Sequence, residues 1–277
     1  MNSRASRLLA VAEVLLVSFG ALQPIGAVLM ASGLWQAAGS LQRNMLGHTV
    51  MIAVPIAWLL LTRRDLAAFG LWTRDPRGDL TVALTVFLPV SLAGAVSGLL
   101  DYRAIPVSFL LAGVSLAALL WAAVQLRRGP DPQSGIITIA LCLVLFPAIS
   151  LWRADLPDPG TALVTFVCYA FFVGFGEEIM YRGFVESRLN QAFGRPFLFF
   201  GVPWGWGLVL ASLLFGFTHV LNVDAATGQT GWYWGWGLWT TFGGLTFGYI
   251  RERTENVLAP ALLHGLPQAL AAALLSL

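Results

Sequence analysis

Residues 161–184 read TALVTFVCYAFFVGFGEEIMYRGF. The run is long and apolar enough for a lipid-embedded helix, yet it carries Glu177, Glu178 and Arg182 near its end. Apolar sequence returns soon after, as FLFFGVPWGWGLVLASLLFGF at 197–217. A chain built for lipid needs a physical reason to hold three ionisable groups in one stretch, because each is costly there without a partner.

The rest of the chain confirms lipid as the main solvent. It is 57% hydrophobic and 11% charged over 277 residues, against roughly 45–50% and 25% for a soluble domain. One polytopic membrane domain is expected over 1–277, with N-terminal helices over 1–159 and the polar motifs gathered in 160–270. A net charge of +2 gives no basis for a nucleic-acid partner. All 16 basic residues are arginine. Cys142 and Cys168 lie inside apolar runs and read as small membrane-helix residues, with no metal-binding CxxC and no disulfide framework. The N-terminus has a basic start and an apolar run but no clear small-x-small cleavage site, so a retained first span is expected.

Apolar runs of the roughly 17–25 residues that a spanning helix needs fall at about 9–35, 45–62, 80–100, 105–126, 136–152, 161–181, 197–220, 232–250 and 257–277. The fold class expected is an all-α bundle of eight or nine transmembrane helices around an intramembrane cavity, eight if 136–152 is re-entrant. With the N-terminus cytoplasmic, Arg4, Arg7, Arg63, Arg64, Arg74, Arg77, Arg127, Arg128, Arg182, Arg188, Arg195, Arg251 and Arg253 fall inside. Only Arg43, Arg103 and Arg153 fall outside. The asymmetry fits the positive-inside rule and predicts a multi-pass protein of a prokaryotic inner membrane. Aromatics cluster in PWGWG at 203–207 and WYWGWGLW at 232–239. They read as an interfacial belt, with a substrate-docking surface as the alternative.

Few polar groups are left inside the spans. Glu13 is placed to reach the headgroups, and His48 reads as an interfacial or hydrogen-bonded core histidine. Glu178 and Arg182 are i and i+4 with the acid first, the favourable order for an ion pair on one face; they form the expected structural pair. Glu177 points about 100° further round and has no close helical partner, so it is the working carboxylate. His219 ends FGFTH, with Phe215 one turn before it. His264 and Gln268 share a face, and Pro267 between them removes a backbone donor. A carboxylate and two imidazoles on three helices suit acid–base chemistry on water, with His and Gln donors for an oxyanion; this combination points to amide hydrolysis inside the membrane. Glu and His also bind zinc, but there is no HExxH.

These motifs resemble the CPBP family, the CAAX protease and bacteriocin-processing (Abi-type) membrane proteins. EExxxR is Glu177–Arg182; FxxxH is Phe215 with His219. A small-residue helix, an Arg-Thr turn and an HxxxN helix are matched by GGLTFGYIRERTENVLAPALLHGLPQ, with Arg253, Thr254, Leu258, Pro260 and His264 in place. The resemblance spans about 160–270 and implies an intramembrane glutamic endopeptidase acting on a membrane-associated or lipidated peptide or protein. It implies that Glu177 activates water with help from His219, that His264 and the residue four later hold the oxyanion, and that no metal or other cofactor is needed. The last position is usually Asn and is Gln268 here. Two further readings are a non-catalytic immunity or partner protein on the same fold and a zinc-dependent membrane protease. A proton-coupled transporter finds no support in internal repeats.

Depth adds one more expectation. His264 is about 10 Å from the cytoplasmic end of its helix at 1.5 Å per residue. For Glu177 to meet it, the sixth helix must continue to about Asn190, and the helix of His219 must begin near Pro203. The site is then expected in a wet cavity in the inner half of the membrane.

Overall fold

Among the described residues, each of the nine apolar runs contributes a helix. The computed structural model describes residues 4–33, 38–100, 104–223 and 230–275. Among them, α1 covers 4–31 as Arg4–Leu15, a π segment Leu16–Ala21 and Leu22–Ala31. Then come α2 (Ser40–Leu61), α3 (Pro76–Leu99), α4 (Ile105–Arg128), α5 (Gln133–Trp152) and α6 (Pro159–Phe193). The last three are α7 (Trp206–Val220), α8 (Trp234–Thr254) and α9 (Leu258–Leu274). Six of these, α1 to α6, are long and apolar enough to cross a membrane. The helices α7 and α9, at 15 and 17 residues, are shorter. Helix α8 has 21 residues, but its Gly, Thr and Trp content makes it less apolar.

The expected run at 197–220 divides in two. Phe197–Phe199 (β1) and Val202–Trp204 (β2) pair antiparallel, with Phe199 opposite Val202. The two residues between them, Phe200 and Gly201, have φ of 48° and 84°, the doubly positive turn whose twist matches a hairpin. Helix α7 starts only after Gly205. A second short hairpin joins Leu221–Val223 (β3) to Thr230–Trp232 (β4) between α7 and α8.

Local sequence explains the helix ends. Asp75 accepts from the backbone N–H of Gly78 and Asp158 from that of Thr161, with Pro76 and Pro159 as the first helical residues. Those are N-caps followed by proline at the first position. Outside the spans, the Thr161 hydrogen bonds hold the Asp158 carboxyl below its usual range. Helix α8 ends at Glu255 in a left-handed conformation, and the Asn256 side chain accepts from the Leu258 N–H to start α9. Val257 N–H donates to Gly70 O. Gly70 has φ +69°, and a Cβ there would meet the Asn256 backbone at 3.0 Å, so this contact needs glycine.

Helix α6 is the axis. On one side Val14, Val17, Leu59, Phe69, Phe184 and Phe215 pack together from α1, α2, α6, α7 and the turn after α2. On the other, α3, α4, α8 and α9 contribute Val86, Phe87, Ala122, Leu126, Ile250 and Leu263. Outward faces stay apolar: on α5, Val144 and Leu151 are exposed and Trp152 is 87% exposed. Such a surface belongs against lipid. Glu13 corrects its expected headgroup role. It accepts from Trp58 Nε1 at 2.7 Å and pairs with Arg64 and Arg188, each at 2.6 Å. The acid thereby ties α1 to α6 and to the end of α2.

Helices α6 and α9 approach through glycine. A Cβ on Gly265 would lie 2.7 Å from the Ala170 and Tyr169 carbonyl oxygens, and one on Gly174 2.7 Å from Ala261 O. Small residues permit such contact in membrane bundles. Gly265→Ala must therefore push α9 away from α6; we expect a lower melting temperature in detergent and misplacement of the neighbouring His264. An unchanged melting curve would show that the crossing has slack.

Candidate active site

Glu177, Glu178 and Arg182 sit where α6 changes its winding. A short α segment, Gly174–Glu178, lies between π segments Cys168–Val173 and Ile179–Glu186. Such π turns concentrate at functional sites because they redirect side chains within a helix. All of Ile179–Glu186 is buried.

Behind the site lies a sealed charge pair. Arg182 Nη1 donates to Glu178 Oε1 at 3.1 Å, and both side chains have no exposure. Arg182 Nη2 donates to Gly244 O at 3.0 Å. The guanidinium lies 4.6 Å from the Phe215 ring centroid and 5.6 Å from that of Phe247. A buried cation thus has a carboxylate, a carbonyl and two aromatic faces, which together offset its desolvation. The same Glu178 oxygen also meets His264 Nδ1 at 2.9 Å, so the pair positions an imidazole as well.

In front lies Glu177, with three imidazoles around it. His264 Nε2 is 3.3 Å from Oε2; His48 Nε2 and His219 Nε2 are 3.4 and 3.9 Å from Oε1. Each ring is held through its other nitrogen. His48 Nδ1 donates to Asn44 O at 2.8 Å and His219 Nδ1 to Phe215 O at 2.7 Å; His264 Nδ1 meets Glu178. Carbonyl and carboxylate oxygens only accept, which places a proton on each Nδ1. Every Nε2 is therefore turned to the Glu177 side. Phe215 buttresses two of the rings, with centroids 4.5 Å from His219 and 6.0 Å from His264. Phe247 stacks on His264 at 4.7 Å.

His48 is the hydrogen-bonded core histidine that one alternative of its sequence reading had, and it also stands beside Glu177, which the sequence did not announce. Gly176 allows the approach, since a Cβ there would meet His48 Cβ at 2.9 Å. The available signal was scarcity: the chain has three histidines, and an ionisable group in a span is a functional candidate by default. Gln268 lines the same cavity and is exposed to it, one turn beyond His264. Among the described residues it has no hydrogen bond to Glu177 or His264. The aromatic cluster divides: Trp236 and Trp239 line the cavity, whereas Trp232 and Trp234 stack on each other and are exposed.

The cavity holds about 570 Å³, within the range of small-ligand sites. Glu177 and the imidazoles form its polar end, and apolar and aromatic side chains form most of its wall. No group of three or more His, Cys, Asp or Glu among the described residues has the arrangement of a metal site. Sequence reasoning also missed a second buried network nearer the end of α6. Arg251 Nη2 donates to Ser187 Oγ at 2.6 Å, Asn190 Nδ2 to Glu252 Oε1 at 2.6 Å, and Arg195 pairs with Glu252 at 3.1 Å.

Lipid-facing helices packed around buried glutamate, arginine and histidine define an integral membrane protein with a built polar site. Residues 159–270, less than half of the chain, match the family described as type II CAAX prenyl endopeptidase Rce1-like. No curated protein and no solved structure matches the chain.

The pair and the carboxylate in front of it should respond differently to mutation. Glu178→Ala leaves Arg182 buried without its counter-charge, a change that costs roughly 3–5 kcal/mol. We expect lower expression and a lower melting temperature in detergent. A variant that melts like the wild type and is merely inactive would move Glu178 from the scaffold to the chemistry.

Proposed function

We propose that the protein is an intramembrane glutamic endopeptidase that cleaves a membrane-associated or lipidated peptide or protein. The observation that carries this reading is the convergence of three Nε2 atoms on the Glu177 carboxylate, with a neutralised charge pair behind it. We place the chain in the inner membrane of a prokaryote, N-terminus cytoplasmic, on the arginine asymmetry. The three helices α7, α8 and α9 complete a bundle of nine, and the cavity lies within the bilayer.

In this mechanism Glu177 takes a proton from water, with His219 holding that water by its Nε2 lone pair. The water oxygen bonds to the substrate carbonyl carbon, and the carbonyl oxygen becomes an oxyanion. In this scheme His264 is protonated on both nitrogens and donates to the oxyanion from Nε2; the Gln268 amide supplies a second donor. Collapse breaks the C–N bond, and the proton on Glu177 passes to the leaving amine. The desolvated setting strengthens each of these charge contacts. In the scheme His48 is protonated on both nitrogens, donates from Nε2 to Glu177 Oε1 and fixes the orientation of the carboxylate.

Cleavage of internally quenched hydrophobic peptides by the purified protein in liposomes tests the scheme. Glu177→Gln keeps shape and removes the base; it should lose about 10²–10⁴-fold in rate, and full activity would remove Glu177 from the mechanism. Gln268→Leu should lose about 10²–10³-fold, with Gln268→Asn retaining activity. A hydrogen bond to a charged group is worth about 1.5–3 kcal/mol, so His48→Phe should slow turnover roughly ten- to hundredfold. Exhaustive chelation should change nothing; activity lost to chelation and restored by zinc would turn the histidines into ligands.

A further inference from the structure

The cavity is asymmetric along the bundle. Part of its wall comes from the same end of four helices: Asn44 and His48 near the start of α2, Gly94 near the end of α3, His219 in the last turn of α7, and Trp236 and Trp239 near the start of α8; α4, α6 and α9 line it from mid-helix. The arginines lie at the opposite ends: Arg63 and Arg64 after α2, Arg74 and Arg77 at α3, Arg251 and Arg253 closing α8. The inner-half cavity expected from helix depth is thus open on the other side.

The arginine-rich side is closed by two layers. Ile179–Glu186 is buried without a break just beyond Glu177, and it includes Arg182, which pairs with Glu178. Next comes the Arg251–Ser187 and Asn190–Glu252 layer, with Arg251 2% exposed. A chain entering from that side would have to separate buried charges from their partners, which proteins strongly resist. On the other side the wall is apolar and aromatic and has room: a Cβ on Gly94 would meet nothing within 4 Å.

From this geometry we infer that substrate enters from the arginine-poor face, and that it is an extended, apolar polypeptide segment presented at the extracytoplasmic leaflet. The inference rests on the endopeptidase reading and on the orientation proposed with it. A 570 Å³ cavity admits a few residues of unfolded chain and no folded domain. The apolar wall selects a segment that partitions into lipid, and the buried floor turns away one presented from the cytoplasm.

Thiol access measures this without any substrate. In a Glu177→Gln background with Cys142→Ala and Cys168→Ala, single cysteines are placed in the cavity (Gly94→Cys, and Ala93→Cys as a second site). Others go on the exposed arginine-rich face (Arg74→Cys) and the exposed opposite loop (Leu156→Cys). An anionic, membrane-impermeant methanethiosulfonate is applied to intact cells and to inverted vesicles. Gly94→Cys, Ala93→Cys and Leu156→Cys should label in cells and be lost in inverted vesicles, with Arg74→Cys the reverse. Cavity cysteines that label with Arg74→Cys, or that label from neither side while the denatured protein does, overturn the inference. Leu156→Cys and the cavity sites labelling together from the cytoplasm overturn the extracytoplasmic assignment. Because the background lacks Glu177, these results read access alone; the cleavage assay decides the endopeptidase reading separately.

Discussion

A guanidinium with no solvent exposure needs compensation, and the C-terminal half of this protein supplies it to both Arg182 Nη atoms and to the faces of the group. Glu178 comes from the same helix one turn earlier, Gly244 O from α8, and the Phe215 and Phe247 rings from α7 and α8. Each of these groups also fixes something else. Glu178 holds His264, Phe215 buttresses His219, and Phe247 stacks on His264. Gly244 has no side chain, which lets α8 come close enough for its carbonyl to reach the cation. The His219 and His264 rings are therefore placed by the same contacts that neutralise the buried charge.

Close helix approach is the second constraint. Beyond the α6–α9 crossing, α7 and α8 meet through Gly216 and Gly237, where any Cβ would strike the facing helix backbone. Lipid tails give little drive for apolar side chains to associate, so tight backbone packing and buried polar contacts carry the assembly. Glu13 extends the same logic to the N-terminal helices, where its carboxylate gathers Arg64, Arg188 and Trp58.

Much of this was legible in the sequence because its signals are local. Apolar run length marked the helices among the described residues, and i, i+4 spacing identified the Glu178–Arg182 pair. The depth argument led to a sixth helix extending past Arg182 and a seventh starting near Pro203; the helices reach Phe193 and begin at Trp206. What escaped depends on long-range contact. His48 joins the site across a glycine on a helix far along the chain, and nothing near His48 announces it. The β1–β2 hairpin is as apolar as a span, so only the Phe200–Gly201 turn distinguishes it. The direction in which the cavity opens follows from how deep α6 is packed, a property of the assembled bundle.

The position of His48 bears on modularity. The matched segment begins at residue 159, yet one of the three imidazoles around its carboxylate is supplied by α2. The matched segment thus holds two of the three imidazoles and not the third. A chimera that moved 159–270 onto foreign N-terminal helices would carry Glu177, His219 and His264 intact and leave one flank of the carboxylate bare. A change confined to the N-terminal helices would then reach the carboxylate while every motif of the matched segment stayed unchanged.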